Sequence, residues 1–210
     1  NQRIGSFGDI SCFSFDGIKN ITSGEGGCIV TDSQQVLNAV MDARLLGVKG
    51  DTKQRQQMKR TWAPEVDAQG WRYHMSDVMA AIGRVQLGRL SEFQSKRIAL
   101  LERYLSNLSG IEMIEPLSYE LNAVVPHIFV VKLLSPINRD VVRATLLERG
   151  VQTGVHYHPN HLLSFYSHCP SKNLNNTEKV MKQILTLPLH YDLSISDVDY
   201  VCDTLKHALN

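Results

Sequence analysis

Residues 12–30, CFSFDGIKNITSGEGGCIV, constrain the fold more than any other stretch of the chain. Two short runs, 9–15 and 27–31, read as strands around a loop. The loop carries one lysine, Lys19, with Ser14 before it and Thr22, Ser23, Gly24, Gly26 and Gly27 after it. Glycines permit a tight turn and a close approach of backbone to a ligand. Backbone N–H groups and Ser or Thr hydroxyls gathered in such a turn suit an anion. Two readings follow from these residues alone. The segment is a glycine-rich hairpin with a solvated lysine, or Lys19 is a nucleophile able to form a Schiff base with an aldehyde.

The following segments organise around helices. Residues 33–47 begin at Asp32-Ser33, repeat Val36, Leu37, Val40, Met41 and Leu45 at helical spacing, and stop at Gly47. Residues 48–70 are polar and without period, longer than a compact domain keeps as a loop without a function. Ser76 and Asp77 open a long helix with Val78, Ile82, Val85, Leu90 and Phe93 on one stripe, running to about Leu108. Gly83 and Gly88 weaken it. After Gly110 the pattern alternates: strands IEMIEP, HIFVVKLL and VQTGVHY, helices over 138–148, 176–185 and 196–208. The chain reads as α/β, with the first part over 1–108 and a small α/β domain over 109–210.

Composition excludes several classes. With 22 basic and 21 acidic residues the net charge is +1, and the basic residues are scattered, so no nucleic-acid or anionic-membrane partner is expected. The densest basic group, 49–60, reads as a solvated segment. No apolar run is long enough to span a membrane. The first residues form no signal peptide, and the missing initial Met suggests a chain cut from a longer one. Cys12, Cys28, Cys169 and Cys202 fit no zinc spacing. Cys12 and Cys28 read as small core residues, and free thiols point to a cytoplasmic location. The stretch HYHPNH holds His156, His158 and His161, but a His-x-His pair needs a third ligand, and no metal is expected. His127 reads as structural.

Four ordered motifs carry a resemblance. SFDGIKNITSGEGGCIVT (14–31), GWRYHMSDVMAAIGRVQL (70–87), TGVHYHPNHLLSFY (153–166) and LTLPLHYDLSISDVDYV (185–201) together resemble the DegT/DnrJ/EryC1/StrS family of sugar aminotransferases. The resemblance implies the fold type I architecture of enzymes dependent on pyridoxal phosphate, here the end of the large domain plus the small carboxy-terminal domain. It implies that Lys19 bonds to the cofactor aldehyde and, once displaced by an amino donor, moves the substrate proton. That role needs a neutral amine at working pH. It also implies that Ser14 donates to the cofactor phosphate and that Asn20 shapes the loop.

By the same resemblance the protein works as a homodimer with shared active sites. The segment at 70–77 then reaches the neighbour's cofactor phosphate, but Arg72 stands where the family has asparagine and His74 where it has arginine. A guanidinium fork suits a phosphate, so Arg72 is a cofactor-binding candidate; a surface arginine is the alternative. His156 and Tyr157 are implied as contacts to a nucleotide-linked keto-sugar, with glutamate as amino donor; a packing role is the alternative. Family members with histidine in place of the lysine catalyse dehydration, and Lys19 argues against that branch.

In the family, an aspartate on the pyridinium nitrogen and two further cofactor contacts precede the lysine segment, and this sequence begins after them. Two expectations therefore stand. The chain is part of a working aminotransferase, or it is a truncated, catalytically inactive fragment serving as a binding or oligomerising module.

Overall fold

The computed structural model describes residues 2–50, 57–59, 62–121, 123–170 and 172–209. The chain divides into two compact units, 1–90 and 91–210.

In the first unit, β1 (Ser11–Ser14) and β2 (Gly27–Val30) pair antiparallel, with Ser11 opposite Val30 and Ser14 opposite Gly27. A side chain at Gly27 is excluded, because its Cβ would stand 2.6 Å from the Phe13 carbonyl oxygen. Most of both strands is exposed, and Cys12 and Cys28 with them. The core role expected of these cysteines is not what the structure has: short apolar runs mark strands but do not say whether either face is covered. Helix α1 (Gln34–Ala43) starts at Ser33, whose hydroxyl accepts the Val36 N–H. It gives way to Gly47 at φ 74°.

A short backbone ladder follows. The Trp71 N–H donates to Ala43 O at 2.7 Å, the Leu46 N–H to Trp71 O at 2.9 Å, and the Tyr73 N–H to Arg44 O at 2.9 Å. The polar segment 48–70 is thus closed at its base. Residues 51–56 and 60 of the expected solvated stretch, and residue 61 after it, lie outside the described residues. Helix α2 (Asp77–Gly88) is capped by Ser76, which accepts the Met79 N–H.

The long helix expected from Ser76 to Leu108 is two helices. Arg89 departs from helical geometry after Gly88, and α3 (Leu90–Leu108) begins beyond it. The division of the chain falls at Leu90–Ser91 rather than at 108, because α3 packs into the second unit. Its Leu100, Leu101, Tyr104 and Leu108 are buried in one core with Phe129, Leu133, Leu146, Leu185 and Leu205. The Tyr104 ring stacks on Phe129 at 4.7 Å, and its hydroxyl donates to Pro188 O at 2.8 Å. Burial pushes the Tyr104 phenol well above its ordinary range.

The second unit holds an antiparallel sheet of β3 (Ile114–Pro116), β4 (Phe129–Leu133) and β5 (Ile184–Leu187), in that spatial order. Helix α4 (Arg139–Glu148) is capped by Asn138, ends before Gly150, and packs on β5 and on α6 (Ile195–Ala208). Helix α5 (Asn175–Met181) is shorter than the expected 176–185, since Ile184–Leu187 pairs with β4 instead. Helix α6 starts at Ser194, two residues before the expected Ser196. There the Ser194 hydroxyl accepts the Asp197 N–H while the Asp197 carboxylate accepts the Ser194 N–H. The run VQTGVHY, expected as a strand, meets β5 through one bridge, Gly154 to Thr186.

Candidate active site

The lysine loop is tied at both ends. The Phe15 N–H donates to Gly26 O at 2.8 Å, and Phe15 O accepts the Ser23 N–H at 3.0 Å and the Thr22 hydroxyl at 3.1 Å. Inside that closure, the Asp16 carboxylate accepts the Ile18 N–H at 3.1 Å and Asp16 O accepts the Lys19 N–H at 3.0 Å. Lys19 therefore stands at the end of a hydrogen-bonded turn, half-buried, with half-buried Asn20 after it. Ser14 closes β1, and its Oγ accepts the Asp16 N–H at 3.3 Å. That bond uses a lone pair and leaves the Ser14 hydroxyl proton for another acceptor.

The structure brings Ser14, Lys19 and Asn20 into one loop. It places Arg72 in the ladder of the same unit, exposed and opposite Leu45. Thr22 and Ser23, read from sequence as donors to an anion, both turn inward. Thr22 donates to Phe15 O and Ser23 donates to Glu25 O at 2.7 Å.

His156 and Tyr157 belong to the second unit. The His156 ring lies over Gly154, with Nδ1 2.8 Å from the Thr186 hydroxyl, and meets Tyr157 edge-on at 4.7 Å. Tyr157 is 67% exposed. His161 is held differently, its Nε2 3.1 Å from the Glu178 carboxylate. Among the described residues no three His, Cys, Asp or Glu side chains gather in a way that would hold a metal.

Sequence reasoning passed over Arg97, which is buried and directs one guanidinium nitrogen at the carbonyls of Pro126, His127 and Leu189, 3.0 to 3.3 Å away. Burial lowers its pKa. An arginine inside a helical stripe gives no local sign that its partners lie in distant segments.

Residues 1–206 match the DegT/DnrJ/EryC1/StrS aminotransferase family. The chain belongs to that family. Solved structures agree in fold. The aminotransferase TlmJ from Streptoalloteichus hindustanus is 32% identical, with a TM-score of 0.86, over 98% of this chain and 53% of that one. A sugar aminotransferase from Streptococcus pneumoniae in its pyridoxal-phosphate form is 27% identical, TM-score 0.85, over 99% and 53%. DesI, solved in the presence of its TDP-sugar product, is 25% identical, TM-score 0.84, over 97% and 50%. The chain thus spans about half the length of the structures it matches. Its fold is the corresponding half of the fold type I architecture, and aminotransferases of the DegT/DnrJ/EryC1/StrS family depend on pyridoxal phosphate. The lysine loop fits that group: a primary amine on a fixed turn, and a serine hydroxyl whose proton is not engaged by the loop.

Proposed function

We propose that this chain is the carboxy-terminal part of an aminotransferase that places an amino group on a nucleotide-linked keto-sugar, with glutamate as donor. The observation that carries the reading is the tethered turn: Lys19 at its end, Ser14 at its base, and both ends of the loop bonded through Phe15. Pyridoxal phosphate, when bound, supplies an aldehyde and an electron sink. Lys19 would hold it through its amine and would carry the proton at the reacting carbon. Ser14 donates its hydroxyl to the phosphate, and the Asp16 N–H on its Oγ fixes its direction. Asn20 steadies the turn. Arg72 offers a guanidinium to the phosphate held by a second copy, replacing an amide with a charged fork. His156 and Tyr157 meet the sugar nucleotide, with Thr186 orienting the imidazole.

The assembly is a cytoplasmic homodimer in which each protomer contributes to the other's site. Among the described residues of the first unit only Ser23 and Gly47 are fully buried. Exposed apolar side chains on α2, Val78 at 72% and Val85 at 64%, fit a surface covered by the rest of the fold and by a second protomer. The same exposure favours a second reading for the chain taken alone, an inactive module whose apolar surface serves association.

An absorbance scan of the protein with pyridoxal phosphate, followed by borohydride reduction and peptide mapping, separates the two. A visible band with the label on Lys19, and 2-oxoglutarate formed from glutamate when a nucleotide-linked keto-sugar is added, is the expected result. Label scattered over surface lysines, with no band, gives the second reading.

A further inference from the structure

Ser23 is the one non-glycine side chain fully buried among the described residues of the first unit, and it lies directly behind the lysine turn. Its N–H reaches forward to Phe15 O at 3.0 Å, and its Oγ donates to Glu25 O at 2.7 Å. Two glycines lie against it. Gly26 is at φ 136°, and a Cβ there would stand 3.1 Å from Ser23 Oγ and 2.5 Å from Met75 Cε. A Cβ on Gly83 of α2 would stand 3.4 Å from Ser23 Cβ. The hydroxyl thus folds the Glu25–Gly26 backbone over itself, and Gly26 O in turn accepts the Phe15 N–H at the other end of the loop.

We infer that Ser23 is a positioning residue for Lys19: its buried hydroxyl, bonded to Glu25 O, locks the loop so that the lysine amine is held at one distance from the cofactor. This rests on Lys19 being the cofactor lysine. The Ser23–Glu25 hydrogen bond is part-buried, and removing the hydroxyl takes this donor from the Glu25 carbonyl. A polar group lost in this way corresponds to about a fivefold change in an equilibrium.

The experiment uses the whole protein and compares it with Ser23→Ala and Ser23→Thr. Amide hydrogen exchange across residues 15–27 is measured without cofactor, and the pH midpoint and apparent Kd of the visible pyridoxal-phosphate band are measured with it. Ser23→Ala is expected to speed exchange in the loop about fivefold, weaken cofactor binding about fivefold, and move the midpoint. Ser23→Thr keeps the hydroxyl and is expected to restore both. Parental exchange and an unmoved midpoint in Ser23→Ala, or a Thr variant indistinguishable from Ala, overturns the inference; so does a fall in Tm alone. If the parent protein shows no band and no label on Lys19, the aminotransferase reading fails and the positioning role with it, while the exchange data still report whether Ser23 locks the loop.

Discussion

Arg103 grips Asp199 with both arms: Nε lies 2.6 Å from one carboxylate oxygen and a terminal nitrogen 2.8 Å from the other, while Asn107 donates to the first at 2.7 Å. The pair joins α3 to α6 across 96 residues of sequence. The Arg103 hydrogen bonds, then that from Asn107, hold the Asp199 carboxyl at about 2, against an ordinary 3.8. A carboxylate with a lowered folded pKa adds stability that is full above its unfolded value and disappears as pH falls through the folded one. Acid unfolding followed by circular dichroism should therefore show the parent losing stability between about pH 4 and pH 2. Asp199→Asn should be less stable at pH 6 and lose less over that window. Because the pair is partly exposed, 1 M salt should shrink the difference.

Arg97 supports a second prediction. The residue is 7% exposed, and its guanidinium serves three carbonyls from two distant segments. Arg97→Ala removes both the packed stem and the donors, and should cost about 3 kcal/mol in urea denaturation. Arg97→Met keeps the stem and should cost less. Equal losses in the two variants would show that the carbonyl contacts, not the packing, dominate.

These two arginines show where sequence reading stops. The capped helix at Ser33, the cap at Ser76, the Asn138 helix and the lysine loop were legible because each is local: a cap, a period, or a short motif read in order. Arg97 and Arg103 were not, since their partners lie 29 to 96 residues away and periodicity carries no such information. The helix break at Gly88–Arg89 was signalled only by glycines that a packed helix also tolerates. Cys12 and Cys28 were misplaced because a strand pattern cannot tell a covered face from an open one. In the candidate site, the motif identified the loop but not the division of labour among its hydroxyls. Ser14 keeps a free proton, whereas Thr22 and Ser23 spend theirs on the backbone.

That division makes Ser14 and Lys19 separable by experiment. Ser14→Ala removes a hydroxyl proposed to donate to a charged phosphate, and should raise the apparent Kd for pyridoxal phosphate about tenfold or more, with the borohydride label still on Lys19. Lys19→Ala should abolish the label and lower transamination at least about 100-fold. Unchanged cofactor affinity in Ser14→Ala would remove the serine from the phosphate site.

His156 and Tyr157 make the last prediction, because their surroundings differ while their proposed ligand is the same. The imidazole is fixed by the Thr186 hydroxyl at 2.8 Å and packed over Gly154, so it is oriented before any ligand arrives. Tyr157 is mostly exposed and meets that ring edge-on. Tyr157→Ala should therefore leave the unfolding free energy within about 0.5 kcal/mol of the parent and cofactor loading unchanged. Its KM for the nucleotide-linked sugar should rise about five- to tenfold with little change in kcat, the pattern of a contact made equally in ground and transition states. Thr186→Val unties His156 without touching the ligand and should raise the same KM by a smaller factor. An unchanged KM in both variants would leave the pair with a packing role and move the sugar site elsewhere.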